Sequence, residues 1–159
     1  MNTKITQIGT ETDKLGHKVE TYHSPSLAFS PVFTSFLRNY AEHIDSGFAT
    51  PMTTWEDHYN VIYATIDGVI VGHMTYKEEH RDAPGLVWII FDLVESDYRG
   101  RGIYKILFKQ LEKVAKSLGK SGIAGLVHVD NNAKLSCHES IGAIPHFYLV
   151  AKTFGVDTQ

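Results

Sequence analysis

The clearest pattern in the chain is a series of apolar runs separated by short turn sequences. Two of these runs, 61–66 and 69–76, flank Asp67-Gly68, a dipeptide suited to the positive φ angles of a tight hairpin turn. The next run, 86–94, is almost continuously apolar, which is typical of a central strand covered on both faces. The pattern predicts an antiparallel hairpin followed by a buried strand.

A long amphipathic helix is predicted directly after Gly102. Its apolar residues recur at helical spacing and share one face, whereas charged residues occupy the other. The apolar set is Ile103, Leu107, Phe108, Leu111, Val114, Ala115 and Leu118, and the charged set is Lys105, Lys109, Glu112, Lys113 and Lys116. We expect the helix to end at Gly119, because glycine readily adopts the left-handed conformation that ends many helices.

Weaker patterns predict the remaining elements. They are a hairpin of edge strands or a loose arm within 1–25 (3–8 and 18–22), a helix from Ser30-Pro31 to Gly47, a short helix over 55–59, a strand over 123–129, a short helix from Asn131-Asn132 to near Gly142, and a strand over 147–153. This interleaving of strands and helices is typical of a mixed α/β layer structure. We expect one domain over residues 1–159, because no linker or repeat divides the chain.

Composition narrows the class of protein. The chain has 159 residues, of which 43% are hydrophobic, and a formal net charge of −3. This charge argues against nucleic acid or a membrane surface as a partner, because both require a strongly basic face. Cys137 is the only cysteine, so no internal disulfide can form. We expect a cytoplasmic protein, because the sequence lacks a signal peptide and a membrane-spanning apolar run.

The turn Arg99-Gly100-Arg101-Gly102 is the most informative segment, because it joins the 86–94 strand to the amphipathic helix. Glycine lets a backbone approach a ligand closely, and a helix start presents unpaired N–H groups at its positive end. The two arginines add charge, so the segment favours a phosphate-binding turn. An ordinary turn with solvated arginines is the alternative.

Two common nucleotide-binding motifs are excluded at this turn. A P-loop requires four residues between its glycines and then Gly-Lys-Ser/Thr, which this chain lacks. The dinucleotide fingerprint Gly-x-Gly-x-x-Gly begins at Gly100 and Gly102 but has Lys105 in place of the third glycine.

The turn resembles the Arg/Gln-x-x-Gly-x-Gly/Ala signature of GNAT-type N-acetyltransferases, which lies at the same strand-to-helix junction. Arg99 and Gly102 match the signature, whereas Tyr104 stands where the family has glycine or alanine. The Tyr104 ring either points away from the phosphate or narrows the site. Ser96 stands where the family often has a proline.

A second segment, 131–143, resembles the family's Asn-x-x-Ala/Ser followed by Tyr/His-Glu-x-x-Gly-Phe. The matching residues are Asn131, His138, Glu139 and Gly142, and the departures are Lys134 for the small residue and Ala143 for phenylalanine. Two motifs at the expected separation, each at the expected junction, make the resemblance much more specific than either motif alone.

The resemblance implies a GNAT-like fold: a mixed, mostly antiparallel central sheet flanked by helices and splayed between the 86–94 and 123–129 strands. It implies acetyl-coenzyme A as co-substrate, with pyrophosphate on the backbone N–H groups of the turn. The pantetheine arm would pair with the end of the 86–94 strand. The implied cofactor-binding residues are Leu93, Val94, Arg99, Gly100, Arg101, Gly102, Ile103, Tyr104, Lys105, Asn131 and His138.

The resemblance also implies a catalytic role for His138, which stands where the family often has a tyrosine that protonates the departing thiolate. An imidazole donates that proton only when it is protonated, and otherwise it hydrogen-bonds the sulfur or simply packs. Asp92 is an unusual carboxylate within an apolar strand and a candidate for the general base. Glu95, Glu78, Glu79 or a relayed water are the alternatives.

Other chemistry-bearing residues have simpler interpretations. The nine histidines show no metal-site spacing, so we expect no metal. We expect His73 and His128 to pack within strands, and Cys137 to be a small core residue. One aromatic set either lines the acceptor pocket or belongs to the core, namely Phe33, Phe36, Tyr40, Trp55 and Tyr59.

We interpret the chain as an N-acetyltransferase that moves acetyl from acetyl-coenzyme A directly to a primary amine. No motif in the sequence identifies the acceptor, which we expect to be a small-molecule or peptide amine. The sequence likewise neither requires nor excludes a homodimer. Two alternatives stay open. One is a non-catalytic GNAT-like domain that binds acyl-coenzyme A as a sensor or scaffold, and the other is an unrelated nucleotide-binding α/β module.

Overall fold

The computed structural model describes residues 4–48 and 59–145, which form a six-stranded sheet and three α-helices. The strands are β1 (Thr6–Thr12), β2 (Lys18–Ser24), β3 (Asn60–Ile66), β4 (Val69–Lys77), β5 (Leu86–Val94) and β6 (Gly122–Gly125). The helices are α1 (Phe33–Asp45), α2 (Ile103–Ser117) and α3 (Asn132–Glu139), and a short 3₁₀ turn covers Ser96–Tyr98. Two predicted elements, the strand over 147–153 and most of the helix over 55–59, lie outside the described residues.

The strands lie side by side in chain order, from β1 to β6. The first five pair antiparallel, whereas β5 and β6 pair in parallel. The parallel pairing extends only from Leu86↔Gly122 to Ile89↔Gly125, although β5 continues to Val94. The predicted mixed sheet, splayed beside the 86–94 strand, is therefore confirmed.

The predicted strand over 123–129 is wrong beyond Gly125. Leu126 and Val129 are exposed, and the backbone N–H of Asp130 donates to Nδ1 of His128 at 3.2 Å. His128 therefore lies in a loop and not in a strand. The apolar pattern predicted a longer strand, but the chain leaves β5 where the two strands diverge, so the residues after Gly125 have no ladder partner on β5.

Both predicted hairpins are present. Asp67 and Gly68 have φ angles of 50° and 78°, which are the left-handed values that a tight turn between β3 and β4 requires. The amino-terminal hairpin is longer than predicted and joins the sheet, because β2 pairs with β3 along five positions. For the described residues, the loose-arm alternative is wrong.

Two apolar clusters hold the layers together, one on each face of the sheet. Helix α2 covers one face with Ile103, Leu107 and Leu111, and Gly72 of β4 lets the helix approach closely. A Cβ at Gly72 would lie 3.1 Å from Leu107 Cδ1. Helix α1 covers the other face, where Phe36 packs edge-on against the Phe91 ring.

The buried face of α2 differs from its prediction at several positions. Leu118 is 40% exposed, because it lies past the last helical turn. Tyr104 and Gln110 are buried instead, and each has a polar partner on the sheet. A tyrosine or an amide can be buried at low cost when its polar group is hydrogen-bonded.

Within the described residues, no helix is long and apolar enough to cross a bilayer.

Candidate functional site

The turn between β5 and α2 has the conformation of an open anion cradle. Gly100 and Gly102 have φ angles of 73° and 87°, a region that favours glycine, and Gly102 is the N-cap of α2. It supplies no side-chain cap, and the first turn of α2 contains no acidic residue. The N–H groups at this helix start are therefore not capped by these side chains.

The two arginines of the turn point to different places. Arg99 is exposed, and its Nε donates to the Val94 carbonyl at 3.0 Å. Arg101 turns toward the β1–β2 connection, where its Nε donates to Asp13 Oδ2 at 2.7 Å. Its guanidinium also packs on the Tyr98 ring, 4.9 Å from the ring centroid. The Arg101 charge is therefore already paired.

Asp13 is the buried centre of this clamp. Its side chain is fully buried and also accepts the backbone N–H groups of Leu15 and His17, at 2.9 and 2.8 Å. Burial raises the pKa of Asp13, but the hydrogen bonds from these backbone groups and from Arg101 outweigh it and lower the pKa to about 2. The carboxylate therefore stays ionised and ties the first hairpin to the turn.

We expect Asp13→Asn to make the stability of the protein less sensitive to acid. The folded-state pKa lies below the ordinary value of 3.8, so the ionised group stabilises the fold above about pH 4 and loses this effect as the pH falls toward about 2. The variant should be less stable than the wild type at neutral pH, and the difference should shrink in acid. Urea unfolding of both proteins between pH 6 and pH 2.5 checks this, and a pH-independent difference would contradict it.

On the side of β5 away from β4, no described strand pairs at Asp92 and Val94, and this edge of β5 is called the free edge below. The Glu95 N–H donates to the Val71 carbonyl at 2.9 Å, across the Gly72↔Val94 pair. Antiparallel alternation then directs the polar backbone groups of Leu93 toward β4 and those of its two neighbours toward the opposite edge. Side chains reach that edge directly, because Arg99 Nε bonds the Val94 carbonyl and Lys134 Nζ bonds the Asp92 carbonyl at 2.9 Å.

Asp92 is the centre of a second buried polar cluster. The Lys134 ammonium from α3 forms an ion pair with its carboxylate, and the Tyr104 hydroxyl donates to Oδ2 at 2.9 Å. His138 lies close enough to the carboxylate to help lower its pKa, and its Nε2 is buried without a partner among the described residues. The Tyr104 ring therefore points toward the sheet, which leaves only its backbone facing the turn.

The charges in this cluster are strongly coupled. Burial raises the pKa of Asp92, but the adjacent Lys134 ammonium, together with the hydrogen bonds, holds it well below the ordinary value of a carboxyl. Burial and the Asp92 carboxylate both raise the pKa of Tyr104, so the phenol remains a hydrogen-bond donor. Asp92 is thus a stable anion and a weak proton acceptor.

Lys134 is the main site residue that sequence reasoning missed. It stands where the resembled motif has a small residue, and that departure was the available signal. Asn131 caps α3, since its side chain accepts the Lys134 backbone N–H at 3.2 Å. Lys105 lies exposed in the first turn of α2. The two motifs thus meet at Asp92 through side chains from α2 and α3.

The other candidate bases have partners away from this cluster. Glu95 accepts from Ser35 Oγ at 2.7 Å and from Arg38 at 3.1 Å, both on α1. Glu79 pairs with Lys120 at 2.9 Å. Glu78 is exposed and lies directly after the end of β4.

The remaining predicted residues lie mainly in the core. Phe36, Tyr40 and Tyr59 are buried in the α1 cluster, Phe33 packs against it, and Trp55 lies outside the described residues.

His73 is fully buried, and burial lowers its pKa to about 4. Burial raises the pKa of the Cys137 thiol, which packs against the α2 cluster. The described residues contain no group of side chains that could hold a metal.

Solved structures share this fold. A ribosomal-protein-alanine N-acetyltransferase from Brucella melitensis biovar Abortus 2308 is 20% identical, with 86% of this chain and 99% of that chain covered and a TM-score of 0.63. An aminoglycoside acetyltransferase from an uncultured soil metagenomic sample, in complex with trehalose, is 16% identical, with coverages of 87% and 97% and a TM-score of 0.63. The aminoglycoside N-acetyltransferase AAC(6')-Iy in complex with coenzyme A is 14% identical, with coverages of 92% and 97% and a TM-score of 0.64.

Sequence comparison identifies the family. No curated protein matches the chain. The acetyltransferase (GNAT) family matches residues 29–143, which include the glycine turn, β5 and α3. The chain therefore belongs to the acetyltransferase (GNAT) family, whose members transfer acetyl from acetyl-coenzyme A.

Proposed function

We propose that the protein is an N-acetyltransferase that transfers acetyl from acetyl-coenzyme A directly to a primary amine, and that β5 and the following turn bind the co-substrate. One observation carries the proposal: the free edge of β5 connects the glycine turn to the Asp92 cluster. A ligand with phosphate at one end and a thioester at the other matches this order of groups. Acetyl-coenzyme A supplies the acetyl group, already activated as a thioester.

The turn is suited to the pyrophosphate. Gly100 leaves open space, with no described atom other than those of its chain neighbours within 4 Å of a Cβ placed there, so a phosphate oxygen has room to approach the backbone. Uncapped N–H groups at the start of α2 supply donors and a positive potential. Arg99 supplies an exposed charge, whereas the Arg101 guanidinium is held by Asp13, so Arg101 contributes through its backbone.

The free edge of β5 is suited to the pantetheine arm. The amides of the arm can pair with the backbone groups of Asp92 and Val94, whereas those of Leu93 hydrogen-bond to β4. Pairing requires Lys134 and Arg99 to release two carbonyls. We propose that Arg99 moves to an anionic group of the ligand when it binds, whereas Lys134 releases only the Asp92 carbonyl and keeps its ion pair with the carboxylate.

The buried cluster is suited to the departing thiolate. His138 Nε2 is buried and has no partner among the described residues, so in its protonated form it can donate a proton or a hydrogen bond to a sulfur beside it. Asp92 orients the imidazole, and its lowered pKa makes it a poor base for the amine. Asp92 is therefore a positioning residue, and the amine proton passes to solvent water.

Coenzyme A is expected to raise the melting temperature of the protein. Binding to the folded state alone adds about 2.7 kcal/mol at one hundred times Kd. For a chain of this size that corresponds to a rise of roughly 5–10 °C. Differential scanning fluorimetry with coenzyme A, acetyl-coenzyme A, ATP and NAD provides the measurement. ATP and NAD serve as matched nucleotide controls and should have little effect.

Turnover then separates the enzyme from a sensor. Free-thiol release from acetyl-coenzyme A is measured with a panel of amines that includes an aminoglycoside, a polyamine and a peptide with an N-terminal alanine. The first and last of these are chosen because two structural neighbours are an aminoglycoside acetyltransferase and a ribosomal-protein-alanine N-acetyltransferase. Coenzyme A binding without amine-dependent thiol release would favour the sensor. A failure of coenzyme A to bind would overturn the proposed function.

A further inference from the structure

We propose that Lys14, in the connection between β1 and β2, binds a phosphate group of coenzyme A, an inference that rests on the cofactor site proposed above. The residue lies far from both recognised motifs in sequence. The fold brings it to the glycine turn through three separate contacts. Each of them involves Arg101 or Gly102.

The first contact is between main-chain atoms. The Lys14 N–H donates to the Arg101 carbonyl at 3.0 Å, so the backbone of the first hairpin is joined directly to the glycine turn. The second contact is the ion pair between Asp13, the preceding residue, and the Arg101 guanidinium. These two bonds fix the position of Lys14 relative to the start of α2.

The third contact involves the Lys14 side chain itself. Its Cγ and Cε lie 3.7 Å from the position that a Cβ on Gly102 would occupy. Nζ is one bond beyond Cε, which places the ammonium within about 5 Å of that position. The aliphatic stem thus lies against the N-cap glycine of α2, and the charge projects from the same place.

The local electrostatics favour an anion at this point. A cation beside a helix N-terminus is repelled by the positive end of the helix dipole. The first turn of α2 has no acidic residue, and the nearby Asp13 carboxylate is already paired with Arg101. Among the described residues, no carboxylate forms an ion pair with Lys14. A phosphate held on the turn would relieve this repulsion by interacting with Lys14 and the helix start together.

The test compares coenzyme A with 3′-dephospho-coenzyme A by isothermal titration calorimetry. Lys14→Met keeps the aliphatic stem and removes the charge, so it should weaken coenzyme A binding about fivefold. Its Kd should also respond less to added sodium chloride than that of the wild type. Lys14→Arg should restore affinity to within about twofold. Equal losses with both ligands assign Lys14 to the pyrophosphate, and a loss with coenzyme A alone assigns it to the 3′-phosphate.

Lys18→Met is the matched control, because it removes the same charge from the same hairpin. Lys18 pairs with Glu20 at 3.0 Å on β2 and makes no recorded contact with the cofactor turn. Melting temperatures equal to that of the wild type would exclude a folding defect in the variants. If Lys14→Met binds coenzyme A as tightly as the wild type, or if Lys18→Met loses as much affinity as Lys14→Met, the inference about Lys14 is overturned. The proposed function still stands in both cases, because the wild type binds coenzyme A. Absence of wild-type binding overturns both.

Discussion

His138→Phe is expected to lower kcat by about 10²-fold or more, while the Kd for coenzyme A changes by less than about threefold. The reason is the position of His138 Nε2, which is buried near Asp92 and has no partner in the part of the chain that the structure describes. A group that interacts with the departing sulfur acts mainly in the transition state, so its removal affects kcat more than binding. Steady-state kinetics and calorimetry on the same preparation measure the two quantities.

Cys137→Ser provides the control for this experiment. Cys137 is the neighbour of His138 in α3, but successive helical residues point about 100° apart, and the thiol packs against α2. Its replacement should leave kcat close to that of the wild type. An unchanged kcat in His138→Phe would remove the imidazole from the mechanism. Equal losses in both variants would indicate a disturbance of α3 rather than lost chemistry.

Asp92→Leu is expected to destabilise the protein by about 3 kcal/mol, the scale of breaking a buried ion pair. The single replacement leaves the Lys134 ammonium without its carboxylate and the Tyr104 hydroxyl without its acceptor. Adding Lys134→Met removes the unpaired charge, so the double variant should recover much of the loss. Urea unfolding at neutral pH of the wild type, the two single variants and the double variant gives the four free energies that are compared.

The interaction between the two replacements is the informative quantity. If the ion pair stabilises α3 against β5, the double variant should be more stable than the sum of the single losses predicts. A strictly additive double variant would show that the two charges act independently. The Lys113→Met replacement, on the exposed face of α2, provides a surface control that should change stability by less than about 0.5 kcal/mol.

Local patterns predicted most of the fold. The Asp67-Gly68 turn, the amphipathic α2 and the capped α3 depend on neighbouring residues, so their signals lie within short windows of sequence. The predicted strand over 123–129 was too long, because its true end depends on where β6 diverges from β5. That divergence is a property of the whole sheet and not of residues 123–129 themselves.

The site was less predictable, because its contacts are distant in sequence. Arg101 finds its partner 88 residues away, and Lys134 reaches the Asp92 carbonyl from 42 residues away. No local rule specifies such pairs. The assignment of Leu93 to the pantetheine arm illustrates a further limit. Which backbone groups face the free edge depends on strand register, and a bulge near Ile90 shifts that register by one residue.

The cations on β5 also affect how the protein avoids aggregation. A strand edge with free carbonyl groups can recruit a strand from another molecule, and protein sheets commonly protect such edges with lysine or arginine. Here Lys134 and Arg99 satisfy the carbonyls of Asp92 and Val94 in the free protein. The edge that we propose for the pantetheine arm is thereby protected against pairing with an unrelated peptide strand. We infer that removing both cations would increase self-association in the absence of ligand.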